Sequence, residues 1–520
     1  MKRALTAFLC IVLALSMAFA YGCTGDGGTT AESKPESAAT EQSAPIGEQS
    51  SQELQSEPET SVPAVPVVDF GGKDIVFLAR GKDAGDFETW DLEPNEHNSS
   101  QLNAALEQRN KYIEDNYGVQ IKVVYTGGGV NNAELRQTIV KDQSAGIATY
   151  NAAFVPIYDG LDLAGDGAFI DLNELPNIDI NNPWWDLNAM NSLSLANRYF
   201  FGVGDITVQI YETLPCIVFN KNMLKSYTDE NLYELVETGK WTIDKFYSIA
   251  KNVSLDKDDI EGPSVGDMFG IAGQNDNMWI YYKAAGCNTV ELNRYGEPEL
   301  TIYNEHSEKV VDTIRKIMND RDVYMNCNHY VDTPGYTSSP IEFVIQGFRE
   351  QRVLFYFDGL LHLSDFADVS FDFGILPPPK YDESQESYKT IIGAWGATAC
   401  VIPVNCPDVN MTSLIIEAMA EKSKSTVSVE YYEKVLNIQS TRDEESENSL
   451  RIILDSKGFD MGTCFKWGNL SDIVYNSVWN NNMTMASDYE AMKSNIYADM
   501  NKTIQVYTDL PHYIPTEDQQ

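Results

Sequence analysis

The chain has 520 residues, of which 77 are acidic and 37 basic, so its formal net charge is −40. A surface this acidic repels phosphate backbones and lacks the lysine and arginine stripe that nucleic-acid binding requires, so we expect no nucleic-acid partner. The excess of acidic residues is typical of a protein kept in solution outside a cell, and a cationic ligand is the alternative interpretation.

The first residues predict an export signal. A basic n-region precedes the apolar run Ala4–Ala18, which is too short to cross a membrane as a stable helix. Two cleavage signals follow it. Cleavage after the small-x-small site Ala18–Ala20 would release the protein, whereas cleavage before Cys23 would remove residues 1–22 and lipidate Cys23. We expect lipidation at Cys23.

Residues 23–66 predict a disordered tether. They are rich in Ser, Thr, Glu, Gln and Pro and contain no aromatic residue, so they cannot bury enough apolar surface to fold. No later segment reaches roughly 18 consecutive apolar residues, the length that suggests a transmembrane helix. The globular sequence therefore begins near Val67.

The first predicted elements are a strand at Lys73–Arg80, a helix within the segment Ser99–Gly118 and a strand at Val119–Thr126. Apolar residues recur at helical spacing in the middle segment, with Ser100 as the expected N-cap and Gly118 just beyond the end. A strand, a helix and a strand with short connections indicate a parallel sheet in an α/β layer.

The same pattern continues along the chain. Thr242 is expected to cap a helix whose entry is packed by Trp241 and Phe246. After Pro407 the chain is predicted to be mostly helical. Further strands are predicted at Asn151–Tyr158, Ile210–Asn220, Val353–Gly359 and Asp372–Lys380.

Motifs for catalysis or metal binding are weak. The five histidines have no paired-ligand spacing, and no phosphate-binding loop occurs. The segment Gly262–Gly266 reads GPSVG, but its flanks are wrong for a nucleophile elbow, so a loop is expected. Asp256–Gly262 is acidic but has its glycine one place late for a calcium loop, so we interpret it as an exposed turn, with calcium as the alternative. We expect no cofactor and no metal.

Cysteine spacing is equally uninformative about metals. Eight cysteines occur, and those from Cys216 to Cys464 form no CxxC pair or zinc pattern. We interpret them as small buried hydrophobic residues, and disulfides stay open.

Several stretches spread over most of the chain resemble one family. They include QLNAALEQRNKYIEDNYGVQI, NPWWDLNAMNSLSLANRYFFGVGDI, IVFNKNML, LYELVETGKWTIDKF, FDFGILPPPKYDESQESYKT and YYEKVLNIQSTRDEESENSLRII. Together they resemble family 1 extracellular solute-binding proteins of the maltose-binding-protein type, and within it the lipoproteins of Gram-positive bacteria. The resemblance implies an α/β, two-lobed, type II periplasmic-binding-protein-like fold, with hinge-linked lobes and a ligand cleft between them.

The resemblance also implies the domain boundaries. Residues 67–211 with about 400–440 would form lobe 1, and residues 212–399 with about 441–520 would form lobe 2. Three chain crossings would join the lobes. They are expected near Val208–Thr213, Trp395–Cys400 and Gln439–Glu445.

The implied function is a substrate-binding lipoprotein of an ABC importer that captures a carbohydrate by lobe closure and delivers it to a membrane permease. Such a protein is not an enzyme, lies outside the cytoplasm on a lipid anchor, and is expected to be a monomer. Two alternatives stay open. One is an exported glycoside hydrolase, which needs two facing carboxylates; the other is a binding protein for a peptide or another small polar solute.

Sugar recognition needs aromatic faces and planar polar groups, so we sought these where the resemblance places cleft-facing loops. Tyr158 and Asp159 end a strand, and Tyr211 and Glu212 fall at the first crossing. Asn277 and Trp279 occupy a segment that resembles the family's aromatic platform, although Asn277 stands where the maltose binder has an aromatic residue.

The remaining candidates lie elsewhere in the chain. Asp358 precedes a glycine after which many sugar binders carry a tryptophan, and Leu361 occupies that place here. Trp395, between two glycines, is the strongest stacking candidate, Trp479 is a second, and Trp90 could cap the cleft. For each aromatic residue the alternative is packing in the core.

Overall fold

The computed structural model describes residues 64–81, 87–96, 98–127, 133–253, 264, 266–330, 340–440, 445–480 and 483–513. The predicted signal peptide, the tether up to residue 63 and Cys23 lie outside these ranges. So do the acidic loop Asp256–Gly262 and residues 441–444 of the expected third crossing. These expectations stay predictions.

One lobe is built on a sheet of four strands. Its order is β12 (Thr398–Val401), β3 (Ala152–Pro156), β1 (Lys73–Arg80) and β2 (Val119–Thr126). Strand β1 runs parallel to both β2 and β3, whereas β12 is antiparallel to β3. Strands β1 and β2 coincide with the sequence-predicted strands. The helices of this part are α1 (Ser100–Tyr117), α2 (Ala133–Ala145), α3 (Ile157–Gly165) and α4 (Leu187–Asn191).

Helix α1 shows how local sequence sets an element. Its N-cap is Ser99, not the predicted Ser100, because the Ser99 hydroxyl accepts the Leu102 N–H. Its end is at Gly118, whose φ of 59° is left-handed and favours glycine. The apolar side chains predicted to share one face are buried, so the helix packs against the sheet and against helices from the end of the chain.

The other lobe is built on a sheet of five strands. Its order is β10 (Phe373–Leu376), β4 (Pro215–Asn220), β9 (Val353–Gly359), β5 (Phe269–Gly273) and β8 (Tyr324–Asn326). Strand β5 is parallel to β8 and β9, and β4 is antiparallel to β9 and β10. The strand predicted from Ile210 is shorter than expected, since Val208–Thr213 forms a 3₁₀ turn before β4.

The helices of this second lobe surround its sheet. They are α5 (Lys221–Leu224), α6 (Leu232–Glu237), α7 (Ile243–Ala250), α8 (Asn277–Ala284), α9 (Glu305–Met318) and α10 (Pro340–Arg349), and a short hairpin pairs β6 (Val290–Leu292) with β7 (Pro298–Leu300). Thr242 caps α7 by accepting the Lys245 N–H. The Trp241 and Phe246 rings pack edge to face at 5.6 Å, so the predicted cap and staple are confirmed.

The last third of the chain is mostly helical, as predicted. It contains α11 (Val409–Lys424), α12 (Val427–Ser440), α13 (Ser446–Asp455), α14 (Met461–Phe465), α15 (Ser471–Trp479) and α16 (Met485–Asp509). Two short strands, β11 (Thr390–Ile391) and β13 (Lys457–Gly458), pair in parallel. Helices α11 and α12 contact α1, whereas α13 contacts β10 and α15 contacts α9, so this part supports both lobes.

Helix α16 touches both lobes. Near its start the Tyr489 ring lies 5.0 Å from that of Tyr303 in the second lobe. Near its end Tyr507 is buried against Phe200 of the first lobe, with ring centroids 5.5 Å apart. Arg198 donates to the Leu510 carbonyl oxygen at 2.7 Å. The C-terminal segment, predicted as part of lobe 2, therefore also returns to lobe 1.

Buried small residues fill the interior of both lobes. The cysteines of the described ranges, Cys216, Cys287, Cys327, Cys400, Cys406 and Cys464, are all buried and unpaired, as expected of small hydrophobic side chains. Within these ranges no helix combines the length and the apolar character needed to cross a membrane.

Candidate functional site

A cavity of about 670 Å³ lies where the two lobes meet. Both crossing segments reach it: Glu212 comes from the 3₁₀ turn before β4, and Trp395 from the loop between β11 and β12. Tyr158 of α3 reaches it from the first lobe and Asp358 of β9 from the second. The size falls within the ~300–1,000 Å³ of small-molecule pockets.

Aromatic side chains form much of the wall. Trp395 is 50% exposed, which is unusual for a tryptophan, and its ring packs edge to face on Phe87 at 4.3 Å. A Cβ on Gly396 would lie 2.9 Å from the Phe87 ring, so glycine lets this loop approach Phe87 closely. Trp279, on the first turn of α8, is half-buried and also lines the cavity.

Tyr158, another aromatic residue of the cavity lining, contacts a cation. The Lys466 ammonium lies 3.7 Å from the centroid of the Tyr158 ring, which is a cation–π contact. Lys466 and Asn469 both adopt φ of 56°, a left-handed conformation that is uncommon for residues other than glycine. The turn between α14 and α15 thus presents two polar side chains to the cavity that the sequence prediction missed.

Glu212 is the carboxylate at the first crossing. The Trp90 indole N–H donates to Glu212 Oε2 at 2.8 Å. Trp90 is buried and stacks on Tyr431, with ring centroids 5.7 Å apart and an interplanar angle of 18°. The prediction that Trp90 caps the cleft is therefore corrected, because Trp90 lies behind Glu212 and orients it.

Tyr211 faces away from the main cavity. Its ring packs on Tyr431 at 5.9 Å, and it lines a separate, smaller cavity of about 320 Å³. Neighbouring residues in a 3₁₀ turn point in different directions, so Tyr211 and Glu212 cannot serve one site together.

Asn277 lines the cavity but is buried at the start of α8. Its amide nitrogen donates to the Phe357 carbonyl oxygen at 2.6 Å, which ties α8 to β9. A Cβ on Gly273 would lie 2.4 Å from that amide nitrogen, so glycine is needed at the end of β5. Beside it, partial desolvation by the surrounding protein raises the pKa of the Asp276 carboxyl, although this residue is still exposed to solvent.

Asp358 stands at the end of β9 with its side chain towards the cavity. Burial raises the pKa of this carboxyl, while the nearby His362, the Gly359 N–H and the Tyr356 hydroxyl oppose that rise. The Gly359 N–H donates to Asp358 Oδ1 at 2.7 Å. Leu361 lines the cavity as well. An aliphatic side chain therefore stands at the position for which the family resemblance implied a tryptophan.

Besides Trp90 and Tyr211, two further predicted residues lie outside the lining of the main cavity. Asp159 lines a neighbouring cavity, where Arg136 Nη1 lies 3.6 Å from its carboxylate. Trp479 packs edge to face on His329 at 6.2 Å, and its indole nitrogen is buried without a hydrogen-bond partner. Trp479 therefore belongs to the packing of α15.

The site combines flat apolar faces with hydrogen-bonding groups. Tyr158, Trp279 and Trp395 supply the faces, and Glu212 and Asp358 supply acceptors. Among the described residues, no group of three or more His, Cys, Asp or Glu side chains could hold a metal ion. Strand β5 follows Ser264 of the GPSVG segment, where a nucleophile elbow needs a helix.

Two α/β lobes joined at a cleft by chain crossings define the fold of a two-lobed substrate-binding protein. The solved structures that this chain resembles include a cyclo/maltodextrin-binding protein complexed with maltotetraose, with a TM-score of 0.51 and 13% identity over 85% of this chain and 99% of that one. They also include the ABC substrate-binding protein Lmo0181 from Listeria monocytogenes in complex with cycloalternan, with a TM-score of 0.51 and 13% identity over 83% and 99%.

Comparison by sequence, in contrast to comparison by structure, gives no match. No protein-family model matches the chain, and no curated protein is similar to it at a significant level. At 13% identity the structural likeness concerns the fold. It confirms the predicted two-lobed fold of the maltose-binding-protein type.

Proposed function

We propose that this chain is the substrate-binding protein of an ABC importer and that it captures a carbohydrate between its two lobes. The observation that carries the proposal is the cavity at the lobe junction, where Tyr158, Trp279 and Trp395 surround the carboxylates of Glu212 and Asp358. An aromatic ring covers the apolar face of a sugar, and carboxylates accept hydrogen bonds from its hydroxyls.

Two of the solved structures that share this fold support a sugar as the ligand class. One is a cyclo/maltodextrin-binding protein complexed with maltotetraose, and the other holds cycloalternan. The reaction is reversible binding. Groups from both lobes line the cavity, so a ligand that contacts both favours the closed arrangement by the difference in its affinity for the two states.

The anchor completes the proposal. Lipidation of Cys23 would hold the protein at the outer face of the membrane beside a permease, and residues 24–63 would give it reach. Release after Ala20 would instead let it diffuse away. The proposed function therefore agrees better with cleavage before Cys23 than with cleavage after Ala20.

A thermal-shift screen tests the function. We expect mono- or oligosaccharides to raise the unfolding midpoint in a concentration-dependent way, because a ligand at a hundredfold excess over Kd adds about 2.7 kcal/mol to the free energy of unfolding. A peptide or amino acid that shifts the midpoint while every sugar fails would overturn the carbohydrate assignment and support the polar-solute alternative.

The hydrolase alternative has one observation in its favour. Asp276, which is exposed, and Asp358, which is half-buried, line one cavity, and partial removal from solvent raises the pKa of both carboxyls, a direction that the general acid of a glycosidase also needs. Incubation with oligosaccharides, followed by an assay for new reducing ends, decides between hydrolysis and reversible binding. Turnover that disappears in Asp358→Asn would replace binding by hydrolysis as the function.

A further inference from the structure

Arg80 is the last residue of β1, and it is fully buried. Its guanidinium Nη2 donates a hydrogen bond to the Gly396 carbonyl oxygen at 2.7 Å. Gly396 directly follows Trp395 in the loop between β11 and β12. Arg80 itself does not line the main cavity, so it reaches the cavity through this loop.

The main chain of Arg80 holds the other half of an aromatic pair at the cavity. The Thr89 N–H donates to the Arg80 carbonyl oxygen at 3.1 Å, and the Arg80 N–H donates to the Thr89 hydroxyl at 3.3 Å. Thr89 lies two residues after Phe87, whose ring packs edge to face on Trp395 at 4.3 Å. Arg80 therefore binds both segments whose rings meet at the cavity, one through its backbone and one through its side chain.

Burial of this guanidinium is unfavourable for stability. It lowers the pKa of Arg80 to about 10, although the charges of Asp159 and Asp91 oppose that change. Among the described residues, Arg80 Nε and Nη1 have no hydrogen-bond partner. A buried charge with unpartnered donors destabilises a fold, and an apolar side chain would fill the same space without this penalty. The gain that offsets the penalty is the bond to Gly396.

Gln209, at the first crossing, fastens the same loop from its other end. The hydroxyl of Thr398, two residues after Gly396, donates to Gln209 Oε1 at 3.2 Å. The Gln209 amide nitrogen in turn donates to the Glu88 carbonyl oxygen. Gln209 and Thr398 are both buried. The loop is thus held at Gly396 and at Thr398, while the Trp395 ring between β11 and these bonds is half-exposed.

We infer that Arg80 is a positioning residue for Trp395, an inference that rests on the proposed function of sugar binding. Its bond to Gly396 favours the loop conformation in which the indole faces the cavity. If that conformation were only partly populated, the apparent affinity for a sugar would fall in proportion to its population. Arg80 thus lowers the ordering cost of binding without touching the sugar.

Arg80→Met tests this role, because it removes the guanidinium and keeps most of the apolar stem. The probe is the tightest-binding member of a panel of neutral mono- to tetrasaccharides of glucose, galactose, mannose and xylose, measured by isothermal titration calorimetry. We expect about fivefold weaker binding. In a Trp395→Ala background the same change should have no further effect, because no indole is left to position. Unchanged affinity, or an equal loss in both backgrounds, would overturn the inference.

A second readout needs no sugar. In protein labelled with fluorotryptophan, the fluorine NMR resonance of Trp395 is identified by its absence from Trp395→Phe. Arg80→Met should shift or broaden this resonance and leave that of the buried Trp241, assigned in the same way, in place. An unaltered Trp395 resonance would overturn the inference.

Arg109→Met is the matched control. Arg109 is also fully buried, its charge also interacts with Asp91, and its Nη2 also donates to a main-chain carbonyl oxygen, that of Leu92, at 2.8 Å. That bond lies outside the loop of Trp395. The control should therefore lose stability and leave the Trp395 resonance unchanged.

Arg80→Lys serves if Arg80→Met fails to fold. It keeps the positive charge near Asp91, but its ammonium ends one bond short of the position of Nη2, so the bond to Gly396 is weakened. The same changes in affinity and in the Trp395 resonance are expected in smaller measure, and their absence would overturn the inference. Failure of every sugar to bind the wild type would instead overturn the proposed function, and the fluorine resonance then decides the positioning role by itself.

Discussion

The indole N–H of Trp90 donates to the carboxylate of Glu212 at 2.8 Å. Both residues were predicted to contact a ligand, but only Glu212 lines the main cavity. Trp90 is buried beneath it. A buried donor that holds a carboxylate at the cleft fixes the direction of its remaining lone pairs before the ligand arrives.

Replacement of Trp90 by phenylalanine should therefore affect both stability and binding. The ring stack on Tyr431 can be kept, whereas the hydrogen bond to a charged acceptor is lost, at a cost of about 2 kcal/mol in the free energy of unfolding. We also expect severalfold weaker sugar binding by calorimetry. Trp184→Phe is the control, because it removes an indole bond to Glu417 far from the cavity. Unchanged affinity in Trp90→Phe would show that Glu212 needs no such support.

Trp395 should contribute directly to binding. Its half-exposed ring faces the cavity, so Trp395→Ala removes a stacking face with little loss of core packing. We expect about tenfold weaker sugar binding, or ~1.4 kcal/mol, and an almost unchanged unfolding midpoint. Tyr295→Ala, which removes a 63% exposed ring elsewhere, should leave both unaltered. Equal affinity of Trp395→Ala and wild type would exclude stacking on this residue.

Asp358 should make stability depend on pH. Because burial raises its pKa in the folded state, the folded protein binds the proton more tightly than the unfolded chain. Its contribution is fully present below the unfolded pKa of 3.8 and is lost as pH rises through the raised value. Asp358→Asn should thus be more stable than wild type at neutral pH, with a gain that vanishes in acid.

Urea unfolding at neutral and acidic pH measures this difference. Asp368→Asn gives a contrast of opposite sign, since the hydrogen bond from Arg349 lowers the pKa of Asp368. That favourable contribution exists above the unfolded pKa and is lost as pH falls. A gain for Asp358→Asn that is equal at both pH values would contradict the assignment of a raised pKa.

Glu417 should be important for stability and not for binding. It accepts hydrogen bonds from the Trp184 and Trp185 indoles at 3.0 and 2.8 Å and from the Asn182 amide at 2.6 Å. In Glu417→Ala these buried donors lose their acceptor, so we expect a loss of about 3 kcal/mol in the free energy of unfolding. The loss in the free energy of unfolding should be smaller for Glu417→Gln. Calorimetry on the folded protein should find the sugar affinity unchanged, and a weakened affinity would tie this cluster to the site.

Cys23 should carry the membrane anchor. Metabolic labelling with a radioactive fatty acid is expected to label the wild type, and the label should disappear in Cys23→Ser. Cys10→Ser, a change within the predicted signal peptide, is the control and should keep the label. A wild-type protein that appears unlabelled in the medium would show that cleavage after Ala20 is used instead.

Much of the local structure could be predicted because its causes lie close together in the chain. Strand β1, the Thr242 cap and the Trp241–Phe246 staple depend on neighbouring residues, and all three were found. The Ser99 cap of α1 was missed by one position, since two adjacent serines offer the same hydroxyl. The strand expected from Ile210 was shortened, because the chain turns there to pass between the lobes.

The site was predicted only in part. Tyr158, Glu212, Asn277, Trp279, Asp358 and Trp395 line the main cavity, whereas Trp90, Asp159, Tyr211 and Trp479 do not. The aromatic residues of the two groups look alike in sequence, since a buried ring and a cleft ring differ only in what packs over them. Phe87, Lys466 and Asn469 were missed, because no local pattern marks the contact of Phe87 with Trp395, that of Lys466 with Tyr158, or the place of Asn469 in the cavity lining.

The sequence by itself determined the α/β class and the absence of common nucleotide and metal motifs, and it supplied the prediction of an export signal and the resemblance to two-lobed binding proteins. Composition and short-range periodicity account for the class and for the predicted export signal, whereas the resemblance rests on matching stretches of sequence. Only the tertiary structure decided which aromatic rings reach the cavity, and that the Lys466 ammonium lies over the Tyr158 ring. Those relationships depend on segments distant in the chain that the packing of α3, α14 and α16 brings together.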